Sequence, residues 1–384
     1  MVKYWSGRFR FLYRLFVKLK RACSRFEIVY YFIMLFGTNS KRKNVSSKVS
    51  LSNTESVSIR KTWSRIKIRD FWFRWYKWVW AQSEKVTHNE TDLGRIIPDN
   101  LYYYFFCNCF SDLDACHAFD DKNMYDLYFP DIRMPKTIYR KINGQLMNSD
   151  YSPLSETDAC ALIEKQNSIV FKSSIDSSGG KGVLFIDRSD EFTTVKEVLR
   201  KKMNYIAQER IIQHKILSEI HSSSINTIRI ISFYFHGKVE VLSGILRMGI
   251  GKSKVDNSSS GGIFCGITQD GHLKECAYNK WGERYDKHPT SGFVFADTPV
   301  PGYDICKEIC TSLHYRLVRV SQLISWDLAI DTEGTPILIE VNLTFGDIDF
   351  HQIANGPLFG AYTDSVIQMV FSDKINHMLN KVFY

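Results

Sequence analysis

Two short runs near the C-terminus, residues 325–331 and 336–342, constrain this chain more than any other feature. Both are dominated by aliphatic residues, and Thr332-Glu333-Gly334-Thr335 lies between them, so they read as a β-hairpin. With Glu333-Gly334 as the two turn residues, Asp327 stands directly across from Glu340 on one face. Asn342, two residues further on, shares that face. Leu328, Ile330, Ile337 and Ile339 alternate with these polar residues, so one face is buried and the other presented. Like charges directly opposite one another destabilise a sheet. Neutralising either acid is therefore expected to stabilise the chain when no ligand is bound. A hard divalent cation resolves the conflict, because Mg2+ takes a few carboxylates and completes its shell with phosphate oxygens and water. The pattern predicts a metal site at Asp327, Glu340 and Asn342; a solvated hairpin with incidental acids is the plainer alternative.

A second hairpin is legible in residues 227–235, the turn His236-Gly237, and residues 238–246. It carries Asn226, Arg229 and Arg247. A plain two-residue turn puts Asn226 beside Arg247 and sends Arg229 to the other face, unless a bulge realigns them. A polar loop over residues 255–262 follows. Further upstream, residues 156–166 read as a helix with Ser155 as N-cap. Strands at 168–172 and 183–187 then flank the segment Ser173-Ser174-Ile175-Asp176-Ser177-Ser178-Gly179-Gly180-Lys181-Gly182. Its glycines let backbone N–H groups approach oxygen atoms and its lysine neutralises charge, which suits a lid over phosphates. GxxxxGK[ST] does not occur, so this is not a Walker A loop.

The formal charge of +9 over 384 residues hides a division. Residues 1–85 hold 20 Lys and Arg against 4 Asp and Glu, whereas the rest holds 30 against 37. Six of the eight Trp also fall in the first segment, which marks it off as a basic, aromatic extension. Within it Trp5, Phe9, Leu12, Phe16, Leu19, Cys23 and Phe26 form one helical stripe, and Arg10, Arg14, Lys18, Arg21 and Arg25 lie opposite. That pattern suits the surface of an anionic membrane through residues 1–37. The apolar run at 28–37 is too short to span a bilayer. Residues 38–61 read as a linker. Residues 62–80 return to Trp, Phe, Arg and Lys; packing on the body as a helix is the plainer reading, membrane contact is the alternative, and no nucleic-acid motif accompanies them. Nine Cys with no CxxC pair exclude a disulfide scaffold and a Cys-based zinc site.

The order of parts in the body resembles the ATP-grasp fold, and more narrowly the sugar-transfer-associated ATP-grasp family of polysaccharide gene clusters. The resemblance rests on residues 117–122 with Phe129-Pro130 and Met134-Pro135-Lys136; Ser178-Gly179-Gly180-Lys181-Gly182; Gln208-Glu209; Gln213-His214; Ser224-Ile225-Asn226-Thr227-Ile228-Arg229; Leu246-Arg247-Met248-Gly249; Asp256-Asn257 with Gly261-Gly262; His288-Pro289; and Trp326-Asp327-Leu328-Ala329 with Ile339-Glu340-Val341-Asn342. It covers residues 100–360, and Ser325 stands where the family has Gly.

The resemblance implies an α+β protein with two lobes clasping a nucleotide, a first lobe at 96–206 and a second at 207–384; the basic aromatic helical extension and linker at 1–95 lies outside it. It implies ATP and Mg2+ as cofactors. Lys172 would contact the α-phosphate, while Ser178, Gly179, Gly180, Lys181 and Gly182 close over the β,γ-phosphates. Gln208 and the strand from Glu209 through Ile211 and Ile212 would bind adenine. Asp327, Glu340 and Asn342 would hold Mg2+, with Arg229, Arg247 and Lys181 as catalytic cations. Either Lys136 or Lys141 would join Lys172, and His214 and His288 are the available acid–base candidates. The implied reaction joins a carboxylate donor to an amine, thiol or sugar-linked acceptor through an acyl phosphate, in the cytoplasm or on the inner face of the membrane. A kinase with Asp256 as base, or a nucleotide-binding scaffold, are the alternatives.

Overall fold

The computed structural model describes residues 93–175, 182–187 and 204–371, with Leu199 and a few positions between 57 and 63. The stripe at 1–37, the stretch at 64–80 and the lid residues Ser178, Gly179, Gly180 and Lys181 lie outside the described residues. Of the expected linker, Val57, Ile59 and Lys61 are described and are helical, and Ile59 and Trp63, four apart, are buried. The chain divides into two compact units, one of residues 110–346 and one whose described parts are the positions between 57 and 63, 93–109 and 347–371.

The larger unit is α+β and holds two antiparallel sheets, both falling inside this one unit. The first sheet comprises β1 (Thr137–Ile142), β2 (Gln145–Asn148), β3 (Ser168–Ser173), β4 (Val183–Asp187) and β5 (Tyr205–Glu209), in the order β2-β1-β5-β3-β4. Alternation along these strands sends Ile169, Phe171, Ile186, Tyr205 and Ala207 to one face, where they pack with Ala159 and Ile163 of the helix Glu156–Glu164. Ser155 caps that helix, its Oγ accepting from Asp158 N at 3.1 Å. The cross-strand pairs Val170↔Gln208 and Lys172↔Ile206 put Val170, Lys172, Ile206 and Gln208 together on the opposite face.

The second sheet comprises β6 (Thr227–Phe235), β7 (Lys238–Met248), β8 (Ile263–Ile267), β9 (Leu273–Asn279), β10 (Arg284–Tyr285), β11 (Leu323–Ile330) and β12 (Pro336–Asn342), in the order β10-β9-β8-β7-β6-β11-β12. One face carries Ile228, Ile230, Leu246, Ile324, Trp326 and Leu328. It packs against Tyr303, Cys306, Cys310, Leu313 and Leu317, which recur by threes and fours on the helix Tyr303–Leu317.

Two bulges decide what the other face presents. Between β6 and β7 the register runs as expected from Phe235↔Lys238 to Ser232↔Val241, then slips by one to Ile231↔Ser243. Thr227, not Asn226, therefore faces Arg247, and Arg229 joins Arg247 on one face. Between β11 and β12 the turn is one residue longer than the two-residue turn read from the sequence: Ile330 pairs with Pro336, and Gly334 adopts φ +82°. A bulge between Asp327 and Leu328 absorbs that residue and restores the pair Asp327↔Glu340.

Behind the sheet, His314 is held by three neighbours. Trp326 Nε1 donates to Ser232 Oγ at 2.7 Å, Ser232 Oγ lies 2.7 Å from His314 Nδ1, and His314 Nε2 lies 3.2 Å from Ser321 O. Burial lowers the His314 pKa to about 4 from its ordinary 6.5. A histidine whose folded pKa is depressed adds stability above its unfolded pKa, and that stability is lost as pH falls towards the folded value. Unfolding free energy should thus drop by about 3 kcal/mol between pH 6.5 and 4 through this residue alone. Comparing urea denaturation of the wild type and His314→Gln across that interval isolates the effect; parallel pH profiles would refute it.

In the smaller unit, the Gln352 amide on the helix Ile348–Asn355 clamps the backbone of Ile97, accepting from its N and donating to its O, both at 2.8 Å. Phe106 stacks near Phe359, and Tyr103 OH donates to Asp347 Oδ1 at 2.9 Å. Among the described residues no helix is long and apolar enough to cross a membrane.

Candidate active site

The polar face of the second sheet carries a chain of buried charges. Arg229 on β6 grips Asp327 on β11 with two parallel bonds, Nε to Oδ1 and Nη2 to Oδ2, each 2.7 Å. Arg247 on β7 donates Nη1 to Asp327 Oδ2 at 3.2 Å and Nη2 to Asp256 Oδ1 at 3.1 Å. All four residues are buried. Glu340, directly across from Asp327, accepts from Lys122 Nζ at 2.7 Å. Lys172 on β3 is half-buried close by. Burial and the Lys122 cation push its pKa down to about 8, against an upward pull from Glu340.

These contacts overturn the inference that two opposed acids repel each other unopposed. Asp327 sits between two guanidiniums and Glu340 beside an ammonium, so the protein itself compensates both carboxylates. The hairpin showed the acids; it could not show cations arriving from residue 122 and from β6 and β7.

The donor set nonetheless fits a hard cation. Asn342 stands opposite Ser325, and its amide nitrogen and the Ser325 Oγ are both buried without a hydrogen-bond partner. Rotating that amide exchanges its nitrogen for an oxygen, since the two are assigned from their surroundings. Two carboxylates and an amide oxygen are the ligand type Mg2+ prefers. Among the described residues no group of three or more His, Cys, Asp or Glu is placed to hold a metal, so any ion here depends on Asn342 and on oxygens brought by a ligand.

The other expected residues divide. Lys136 Nζ donates to Glu209 Oε1 at 2.8 Å and Lys141 Nζ to Leu199 O at 2.5 Å, so neither joins Lys172; Lys122 does. Glu209, Ile211 and Ile212 line a cleft of about 490 Å³ with Ser168 and Arg210, while Gln208 donates to Pro135 O at 3.2 Å. Gly182, the one lid glycine described, has φ +78° and lies close enough to Ser173 that a Cβ would sit 3.2 Å from the serine's own. Asn226 does not accompany Arg247; its Nδ2 is surrounded by Gln213 Oε1, Leu217 O and His221 O at 3.1, 2.6 and 2.9 Å. Both histidines do structural work. His214 accepts from Ile216 N at the start of the helix Lys215–Ile220, and His288 Nε2 donates to Gly249 O at 2.9 Å.

Lys122 was the residue that local pattern could not single out, because it stands in no motif with Glu340 and meets it across 218 positions of chain. In the ATP site that the resemblance implies, Lys122→Met should weaken ATP binding by about 10- to 100-fold, since it removes a cation from a poorly hydrated site, whereas Lys136→Met should change it less than about twofold. Titration with a fluorescent ATP analogue checks both; equal losses would deny Lys122 its place.

The family model for sugar-transfer associated ATP-grasp proteins matches residues 110–366. No curated protein matches the chain. Solved structures similar to it include D-alanyl-alanine synthetase A from Vibrio cholerae O1 biovar eltor, at 13% identity over 69% of this chain and 68% of that one, with a TM-score of 0.42. A D-alanine–D-alanine ligase from Bacillus anthracis shares 13% identity over 71% and 72%, at 0.38. The ATP-grasp ligase PsnB, complexed with a precursor peptide and AMPPNP, shares 11% over 71% and 67%, at 0.40. Scores this low carry no weight for the chemistry of the present chain.

Proposed function

Because this chain belongs to the sugar-transfer-associated ATP-grasp family, we propose that it is an ATP-dependent ligase that activates a carboxylate as an acyl phosphate and passes the acyl group to an amine, in the assembly of cell-surface polysaccharide. The observation that carries this reading is the convergence of Asp327, Glu340, Asn342, Arg229 and Arg247 on one sheet face, with Lys122 and Lys172 beside them.

A carboxylate is a poor acyl donor, because its leaving group would be oxide. Transfer of the γ-phosphoryl of ATP to a carboxylate oxygen creates a good leaving group, and attack by the amine then releases phosphate. Such transfer needs in-line positioning and neutralised charge more than a protein nucleophile. Lys122 and Lys172 supply cations for the phosphates, and the lid at 178–182 would cover them. Arg229 and Arg247 are fixed by Asp327, so their positive charge is oriented before substrate arrives. Asp327, Glu340 and Asn342 would hold Mg2+, which when bound neutralises phosphate charge and polarises phosphoryl oxygens. The backbone from Glu209 to Ile212, along the 490 Å³ cleft, would receive the adenine.

ADP release screened over amino acids and sugar acids, with hydroxylamine present, tests the proposal. Carboxylate-dependent ADP release with formation of a hydroxamate is expected. ADP release with sugars or alcohols that lack a carboxylate would instead make the protein a kinase.

The extension at 1–37 would hold the enzyme on an anionic cytoplasmic leaflet, with its cations on the lipid head groups. Full-length protein should sediment with phosphatidylserine vesicles at low salt and be released as salt rises, and a truncation starting at Thr38, which keeps the buried Ile59 and Trp63, should lose sedimentation and keep ATP turnover. Failure of the full chain to sediment would end the membrane reading.

A further inference from the structure

The loop after β7 ends the charge chain with two buried polar oxygens that no described residue satisfies. Arg247 holds Asp256 through Oδ1, yet Asp256 Oδ2 is buried with no hydrogen-bond partner. Ser258, two residues on, is in the same condition at its Oγ. The two residues are 8% and 5% exposed. A buried carboxylate oxygen that accepts nothing is costly and rare.

Slackness of the loop does not account for it. Ser260 N donates to Asn257 O at 2.9 Å, Gly261 N to Ser258 O at 3.2 Å, and Gly262 N to Asn257 O at 3.1 Å. A Cβ on Gly262 would come within 2.3 Å of Asp256 O and 2.8 Å of Met248 O, so backbone packs against backbone there. At the loop's start, His288 Nε2 donates to Gly249 O at 2.9 Å and His221 Nε2 lies 3.0 Å from Gly251 O. Lys254, the nearest cation in sequence, is drawn away to Asp187 Oδ2 at 3.1 Å. The loop is pinned by these bonds.

We propose that Asp256 Oδ2 and Ser258 Oγ form the subsite for the acceptor's amine, bound as an ammonium. This rests on the ligase reading for the amine's role, though not for its binding. An ammonium brings three N–H donors and no acceptor, which suits a carboxylate oxygen and a hydroxyl oxygen that both lack a donor; a hydroxyl brings one hydrogen. The carboxylate supplies the opposite charge. Arg247 links this subsite to Asp327, so the acceptor is held one residue away from the face that would carry out phosphoryl transfer.

The test is thermal unfolding of the full chain in 100 mM ethylammonium chloride, against equal concentrations of sodium chloride and of tetramethylammonium chloride, which has no N–H. Ethylammonium should raise the wild-type midpoint by about 2 °C over both controls, as expected for millimolar binding. Asp256→Asn and Ser258→Ala should each lose that difference; the serine variant removes only a hydroxyl and so guards against a misfolded aspartate variant. Equal midpoints in the three salts for the wild type, or a difference that survives in both variants, would overturn the proposal. The hydroxamate assay keeps the two readings separate, because hydroxylamine is uncharged near neutral pH and needs no ammonium subsite. Hydroxamate without ethylammonium binding sinks this inference alone. Ethylammonium binding without hydroxamate sinks the ligase reading alone.

Discussion

Asp327→Asn should lower the unfolding free energy by about 3 kcal/mol and ATP turnover by about a thousandfold. The loss of stability reverses what the hairpin alone suggests. Two opposed acids imply relief on removing one, but Asp327 is buried between Arg229 and Arg247 and takes three of their N–H groups. Asparagine keeps the shape and one acceptor, and it removes the negative charge held between the two buried guanidiniums. Breaking a buried pair by removing one partner is costly because the other charge stays behind. Urea denaturation gives the stability, and coupled ADP assay gives the turnover. A variant as stable as the wild type would show that the arginines do not depend on Asp327.

Glu340→Gln should leave stability within about 1 kcal/mol of the wild type and still lower turnover by about a hundredfold or more. Its side chain is 26% exposed and, among the described residues, is paired with Lys122 alone, so the folded state depends on it little. In the proposed Mg2+ site its carboxylate would nonetheless complete the oxygen set with Asp327 and Asn342, and it pairs with Lys122, whose charge acts on Lys172. The two acids thus face each other across one register position and should differ sharply, one in stability and activity and the other in activity alone. Equal destabilisation by both substitutions would contradict the burial and pairing described for Glu340.

What was legible in the sequence was mostly local. Alternation and turn chemistry identified β6, β7, β11 and β12 within a residue or two, and the pairing of Asp327 with Glu340 held. It held through two compensating departures, a longer turn and a bulge, neither of which a two-residue turn predicts. The bulge near Ser232 was needed to bring Arg229 and Arg247 together, and nothing in β6 or β7 marks it beforehand. Contacts distant in sequence were beyond reach. Lys122 on Glu340, Lys136 on Glu209 and the capture of Asn226 by Gln213 each depend on how loops lie against sheets, which periodicity does not encode. The acidic pair misled for the same reason: a charge reads as unopposed when its partners are a hundred residues away.

The most direct measurement of the central claim follows an oxygen atom. A carboxylate donor found in the screen is labelled with 18O in its carboxyl group and turned over with ATP, and the released phosphate is examined by mass spectrometry. Activation through an acyl phosphate requires that one labelled oxygen leave the carboxylate with the phosphoryl group. The account predicts phosphate carrying one 18O, together with ADP. Unlabelled phosphate beside an acyl product that keeps both labelled oxygens, or release of AMP with pyrophosphate, would contradict it.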